Sequence, residues 1–246
     1  MTPLSSYFTT PGVAVKISGL SKAYRTAAEE IHALRSVDFE IPAGKAVAIM
    51  GPSGCGKTTL LNLLGGVDRP SEGKIQVDGQ ELTKISEREL EKYRLFKVGF
   101  VFQLFNLIPS MTAYENLELP LIAAGVPESS YEPRIRGLLK MVGLEEKAHK
   151  RPGELSGGQQ QRVAIVVALA NDPALILADE PTGNLDSSNG SAIAKLLRSL
   201  SVEHGKTVVM VSHDPKVVAE FSDAYSMRDG RFTDANSPAA AQGNEE

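Results

Sequence analysis

Gly51-Pro52-Ser53-Gly54-Cys55-Gly56-Lys57-Thr58 lies between a short apolar run and a helical pattern, and its reading decides the fold. The run before it, Ala46-Val47-Ala48-Ile49-Met50, has the length and composition of a parallel strand buried on both faces. After it, Leu60, Leu61, Leu63 and Leu64 give a helix its apolar side from about Lys57 until Gly65-Gly66 stops it. Spacing and context fit G-x-x-x-x-G-K-[ST], a loop whose backbone N–H groups curl around a phosphate at the positive end of a helix. Lys57 is placed to reach β- and γ-phosphates and Thr58 to offer its hydroxyl to Mg²⁺, with Thr59 completing the first helical turn. Cys55, beside Lys57 and a helix N-terminus, is expected to be a reactive thiol that bound nucleotide shields; the alternative is a thiol packed under the loop and inert.

The chain of 246 residues suits one large α/β domain or a core with an inserted subdomain. A net charge of −4 leaves no basic footprint for nucleic acid. One cysteine excludes an intramolecular disulfide and fits a reducing compartment. The first 12 residues lack the basic and apolar regions of a signal peptide, and the longest apolar run, Val163 to Ala170, is too short for a bilayer. Work at a membrane would therefore require a separate anchor.

Around the loop, strands are expected at about Val13 to Ile17, Val37 to Ile41 and Lys74 to Val77, and a Ser86-capped helix to Arg94. Val98 to Phe102 reads as another buried strand with Gln103 at its end. From there to about Gly153 helical segments are broken by Pro109, Pro120, Pro127 and Pro133, which indicates an inserted helical subdomain. Within it Leu104-Phe105-Asn106-Leu107-Ile108-Pro109 is unusually apolar for a loop, so it is either a contact surface or a segment buried on its own helices.

Leu155-Ser156-Gly157-Gly158-Gln159 opens the next helix with Ser156 as N-cap. Paired glycines weaken a helix start, and they make sense where a backbone or phosphate must come close. The apolar strand Ala174 to Ala178 delivers Asp179-Glu180 at its C-terminal end, where ligands bind in open α/β sheets. Asp179 suits Mg²⁺, and Glu180 suits a general base or water-positioning group. Asn184-Leu185-Asp186 precedes a helix over Ser187 to Val202. The strand from Thr207 to Val211 places His213 at the same end of the sheet, and Ala224 to Met227 reads as a final strand. The low-complexity residues 233–246 are expected to be a disordered tail and residues 1–12 a flexible leader.

Taken together these motifs resemble the ATP-binding cassette (ABC) ATPases, over about residues 13–232. The fold the resemblance implies is α/β, a P-loop NTPase of the ABC type. It has a mixed-sheet, RecA-like core at about 13–102 and 160–232, and a helical subdomain at about 103–159. Gly51 to Thr58 looks like Walker A and Leu175 to Asp179 like Walker B, with Glu180 as catalytic glutamate. Gln103 matches the Q-loop glutamine, a Mg²⁺ ligand beside Thr58 and Asp179; Asp186 matches the D-loop aspartate and His213 the switch histidine. Leu155 to Gln159 reads as the signature motif, and Tyr24 lies where the family stacks an aromatic on adenine, with Phe39 a competitor. Leu61 to Gly66, Phe100 to Gln103 with Asn106 to Pro109, and Ala178 to Asp186 are similar to the lipoprotein-release, macrolide-export and cell-division (LolD, MacB and FtsE-like) group. One departure is Val167, where the family usually has an arginine after the signature; it touches a local ion pair or coupling detail, not hydrolysis.

The resemblance implies an ATP- and Mg²⁺-dependent ATPase that dimerises head to tail, each ATP lying between Walker A of one copy and the signature of the other. It implies separate membrane permease subunits, contacted near Leu104 to Pro109, and residence at the cytoplasmic face of the inner membrane. Two other readings are a mechanical regulator of a transmembrane partner and a non-transport ABC ATPase. The substrate is not encoded in this chain.

Overall fold

The computed structural model describes residues 7–25 and 29–234. The first six residues of the expected leader and the tail from 235 lie outside the described residues. Ten strands follow in chain order: β1 (Val15–Arg25), β2 (Glu30–Ile41), β3 (Ala46–Met50), β4 (Glu72–Val77), β5 (Gln80–Glu81), β6 (Val98–Phe102), β7 (Leu175–Asp179), β8 (Thr207–Ser212), β9 (Asp223–Arg228) and β10 (Arg231–Asp234). Between and beside them run α1 (Lys57–Leu64), α2 (Glu87–Lys97), α3 (Ala113–Ala123), α4 (Tyr131–Met141), α5 (Gly157–Ala168), α6 (Ser187–Val202) and α7 (Pro215–Val218). An antiparallel sheet has the order β2-β1-β4-β5, and a second sheet the order β10-β9-β3-β8-β7-β6. The second sheet is parallel from β9 to β6, with only β10 running back.

Strand pleating sorts the core into two apolar clusters. Val47 and Ile49 of β3, Leu175 and Leu177 of β7, and Val209 and Val211 of β8 face α1, α2 and the antiparallel sheet. Ala46, Ala48, Ile176, Ala178, Val208 and Met210 point the other way, onto α3 to α7. The central strands are covered on both faces, which is why they read as unbroken apolar runs. The helices of the inserted region share this second cluster with the sheet, and α5 runs from the expected subdomain into the core. Val167 packs against that cluster, so the residue standing in place of the family's arginine is part of the packing.

Helix starts follow local chemistry. Ser86 with Glu89, Thr112 with Glu115, and Ser156 with Gln159 form reciprocal capping boxes, and Asp186 caps α6. Several expectations need correction. Pro120 lies inside α3 and breaks nothing, and Pro133 sits in the first turn of α4, where no intrahelical donor is required. β1 and β2 run further than expected, pairing with each other into outer ends that are largely exposed. A further strand, β10, occupies the start of the expected tail.

Residues 7–12 are tied down, not loose. Asp172 Oδ2 accepts from the Thr9 and Thr10 backbone N–H groups at 2.9 and 2.7 Å and from the Thr9 hydroxyl at 3.1 Å. Its Oδ1 pairs with Lys206, which is fully buried and also donates to the Thr10 carbonyl at 2.6 Å. Burial pushes the Asp172 carboxyl up, but Lys206 and the Thr10 donors outweigh it and hold the group below the ordinary carboxylate range.

Asp172→Asn leaves a buried ammonium without its counter-charge and should cost about 3–5 kcal/mol in urea unfolding. Lys206→Met should cost less, because the carboxylate keeps its threonine donors. A lowered folded-state value means that Asp172 stabilises above its unfolded pKa and loses this as pH falls through the folded value. The gap between the parent and the D172N variant should therefore narrow in acid, below the usual carboxylate range.

Candidate functional site

The parallel register brings four strand ends to one rim. Met50 pairs with Ser212, Asp179 with Val211, and Phe102 with Asp179, so the residues that follow them emerge side by side. From this rim the loop Gly51 to Gly56 turns into α1. Lys57 is only 6% exposed; its ammonium donates to the carbonyls of Gly51 at 2.7 Å and Pro52 at 3.0 Å. Glu180 Oε1 lies 3.5 Å from the same nitrogen. A lysine so placed is held by the loop itself and is positioned to exchange carbonyls for phosphate oxygens.

Thr58 donates its hydroxyl to Asp179 Oδ1 at 3.1 Å. Burial pushes the Asp179 carboxyl up, the Thr58 hydrogen bond opposes this, and adjacent Glu180 reinforces it. This pair of hard oxygen donors beside the phosphate loop fits Mg²⁺, which takes one or two protein oxygens and completes its octahedron with phosphate and water. Among the described residues no cluster of three or more acidic, histidine or cysteine side chains could hold a metal ion.

Glu180 occupies the left-handed region with φ of 47°, and its N–H donates to Val211. Its Oε2 accepts from the His213 backbone at 3.3 Å and lies 3.0 Å from His213 Nδ1. Nδ1 donates in this arrangement, which leaves Nε2 as the free ring nitrogen. Most of the His213 side chain is exposed, whereas Glu180 is largely covered. Lysine, carboxylate and imidazole thus form one line across the rim.

Gln103 stands beside the group without joining it. Its amide is 3.5 Å from Asn184 Oδ1, and Asn184 returns a bond to the Gln103 carbonyl at 3.1 Å; neither reaches the Thr58–Asp179 pair. Sequence reading named Asn184 as part of the Asn184-Leu185-Asp186 stretch but gave it no role of its own. Asp186 is held by Ser188 and Asn189, whose donors pull its carboxyl down to about 2.

Tyr24 donates its hydroxyl to Asp68 at 2.9 Å. Burial and Asp68 push the phenol up while Thr59, in the first turn of α1, pulls it down. Phe39 is engaged with Tyr225 and Phe232, at ring centroid distances of 4.7 and 4.6 Å, whereas the Tyr24 ring is 39% exposed. Asp68 and Lys22, paired at 2.7 Å, are supports that sequence reading missed.

The Ser156–Gln159 turn abuts Phe105, Leu185 and Asn189; among the described residues no hydrogen bond or ion pair joins it to the phosphate loop. The glycines have different reasons. A Cβ on Gly158 would come within 2.7 Å of Asn189 Oδ1, so that glycine serves a contact inside the chain. A Cβ on Gly157 would meet Leu185 at an ordinary 3.4 Å, and this residue is partly open. The apolar loop is divided: Leu104 and Ile108 are exposed at 75% and 40%, while Leu107 packs on the core. Asn116 fastens the loop by accepting from the Ile108 N–H at 2.8 Å.

The ABC transporter family profile matches residues 34–183. An uncharacterised ABC transporter ATP-binding protein of Thermotoga maritima is 51% identical over 211 residues, 86% of this chain and 90% of that protein. The lipoprotein-releasing system ATP-binding protein LolD of Chromohalobacter salexigens is 40% identical, over 90% of this chain and 94% of its own. The ATP-binding cassette MJ0796 of Methanocaldococcus jannaschii, solved as a dimer in a post-hydrolysis state with ADP and Pi, superposes with a TM-score of 0.82. It is 46% identical and the match covers 89% of this chain and 97% of that one.

Cys55 overturns the expectation of a reactive thiol. It is 4% exposed, and burial pushes its pKa up against the opposing charge of Lys57. Maleimide labelling should be slow with or without saturating ATP and become fast only in denaturant. Rapid labelling of the native chain that ATP suppresses would restore the earlier reading.

Proposed function

The chain belongs to the ABC transporter family, and from that membership we propose a full assignment of its ATPase site. The protein is the ATP-binding, ATP-hydrolysing subunit of a transporter, related to lipoprotein-releasing systems. In our reading two copies pack head to tail. Gly51–Thr59 and Tyr24 of one hold ATP by its phosphates and adenine, and Ser156, Gly157, Gly158, Gln159 and Asp186 of the other close over the γ-phosphate. The observation that carries this is the separation of Ser156–Gln159 from the phosphate loop within one chain, at a helix start whose Gly157 is partly open.

Thr58 and Asp179 would hold Mg²⁺, and Gln103, bonded here to Asn184, would be the third protein oxygen; the cation would neutralise phosphate charge. When phosphate takes over the Lys57 ammonium, Glu180 is released to accept a proton from the attacking water, and His213 supports the glutamate from its other oxygen. Leu104 and Ile108, exposed beside Gln103, contact separate permease subunits. No helix among the described residues is long and apolar enough to cross a membrane, so attachment to the cytoplasmic face is through those subunits.

Glu180→Gln should lower kcat by about 10²-fold or more while ATP still binds, and the variant should accumulate as an ATP-bound dimer in sedimentation. Near-normal phosphate release would reject the role of Glu180. Lys57→Ala and Gly157→Asp should each be nearly inactive alone; Gly157 is chosen over its neighbour because an aspartate at 158 would first strike Asn189. Mixing the two gives heterodimers in which one site is intact, so activity should exceed that of either variant alone. No recovery would count against a shared site.

A further inference from the structure

Residues Tyr7–Gly12 touch both the helical region and the sheet. At one end the Tyr7 hydroxyl donates to the Pro133 carbonyl in α4 at 3.0 Å. Arg134, also in α4, donates to the Tyr7 carbonyl at 3.5 Å and to that of Ala170, beyond the end of α5. At the other end Thr9 and Thr10 grip Asp172, and Lys206 grips both Thr10 and Asp172. The Phe8 ring lies tilted against His204 with centroids 4.3 Å apart, and the Gly12 N–H donates to the Gly205 carbonyl at 2.9 Å.

Gly137 supplies an independent observation. Glycine is disfavoured inside a helix, yet it stands in the middle of α4. A Cβ there would lie 2.4 Å from the Tyr7 ring, and the three nearest atoms all belong to that ring. The space that the missing Cβ leaves is filled by the tyrosine of the segment crossing it.

We propose that Tyr7–Gly12 is a positioning strap that fixes α4 on the Asp172–Lys206 corner of the core. Through α4 it sets the placement of the helix start that carries Ser156–Gln159. The link continues inward, because Arg162 of α5 donates to the carbonyl of Val142 at the end of α4 and both helices share one apolar cluster. A bundle already held in place loses less freedom when the ATP dimer closes, so the strap favours closure. The functional half of this inference rests on the shared-site reading above.

Three variants test it: Tyr7→Ala, Gly137→Ala and the two together. Gly137→Ala improves helix propensity while displacing the tyrosine ring, so it separates positioning from helix stability. Nitroxides on Lys140→Cys and Val202→Cys, with native Cys55 buried, report the distance from α4 to the core without nucleotide. Each single change should broaden that distribution, and the double should broaden it no further than Tyr7→Ala does. In the Glu180→Gln background, each single change should raise the ATP concentration for half-maximal dimer by about three- to tenfold, with ADP affinity held within about twofold.

An unchanged distance distribution, or additive effects in the double variant, would overturn the strap. A parallel loss of ADP affinity would reduce it to general destabilisation and overturn it equally. Broadening without any change in dimerisation would overturn its effect on closure. A Glu180→Gln parent that stays monomeric with ATP would count against the shared site, while the spin-label distances still decide whether the segment positions α4.

Discussion

A lysine ammonium kept almost entirely out of water is costly, by several kcal/mol, unless its surroundings replace the lost hydration. Around Lys57 that replacement comes from two carbonyls of its own loop and from Glu180. The carbonyls can be offered only if Gly51–Gly56 curls back between the end of β3 and the start of α1. The carboxylate can be offered only if β7 ends level with β3. β3 is the strand between β8 and β9, and β8 bridges it to β7, so the charge depends on the register of the whole parallel sheet. Glu180 meets the requirement in a left-handed backbone conformation, which costs of order 1 kcal/mol outside glycine and is held by its N–H bond to Val211.

The second dependence is on the pleat. Alternate residues of β3, β7 and β8 face two different layers, one with α1, α2 and the antiparallel sheet, the other with α3 to α7. The loop that holds Lys57 is therefore supported from one layer and the Ser156–Gln159 turn from the other. Asn189 joins these arrangements on the second side, bonding Asp186 while standing against Gly158. A movement of α6 would be felt at both.

Much of this was legible in the chain, for definable reasons. β3, β6 and α6 fall where they were read because doubly buried strands are apolar runs and because Asp186 is a side-chain cap. The residues at the rim were legible because chemistry confines them to strand ends. What was not legible rests on contacts distant in sequence. Residues 7–12 look loose until Asp172 and Lys206 arrive from the other end of the chain. Cys55 looks activated beside Lys57 until its burial is seen. Gly158 looks open to a ligand until Asn189 is placed against it. The exposed ends of β1 and β2 lack apolar alternation, so no periodicity announces them.

Strand order also governs the time course of folding. β3 ends at Met50, but its two neighbours, β8 and β9, occupy residues 207–228. During synthesis β3 must wait for nearly the whole chain before either of its edges can pair, and such non-local parallel pairing is intrinsically slow. For that interval Ala46–Met50 is an apolar strand with two open edges, the kind of segment that draws chaperones or promotes association. The loop that follows cannot take its final shape until then, so nucleotide cannot template the early chain. The oldest-emerging functional motif is among the last to become competent.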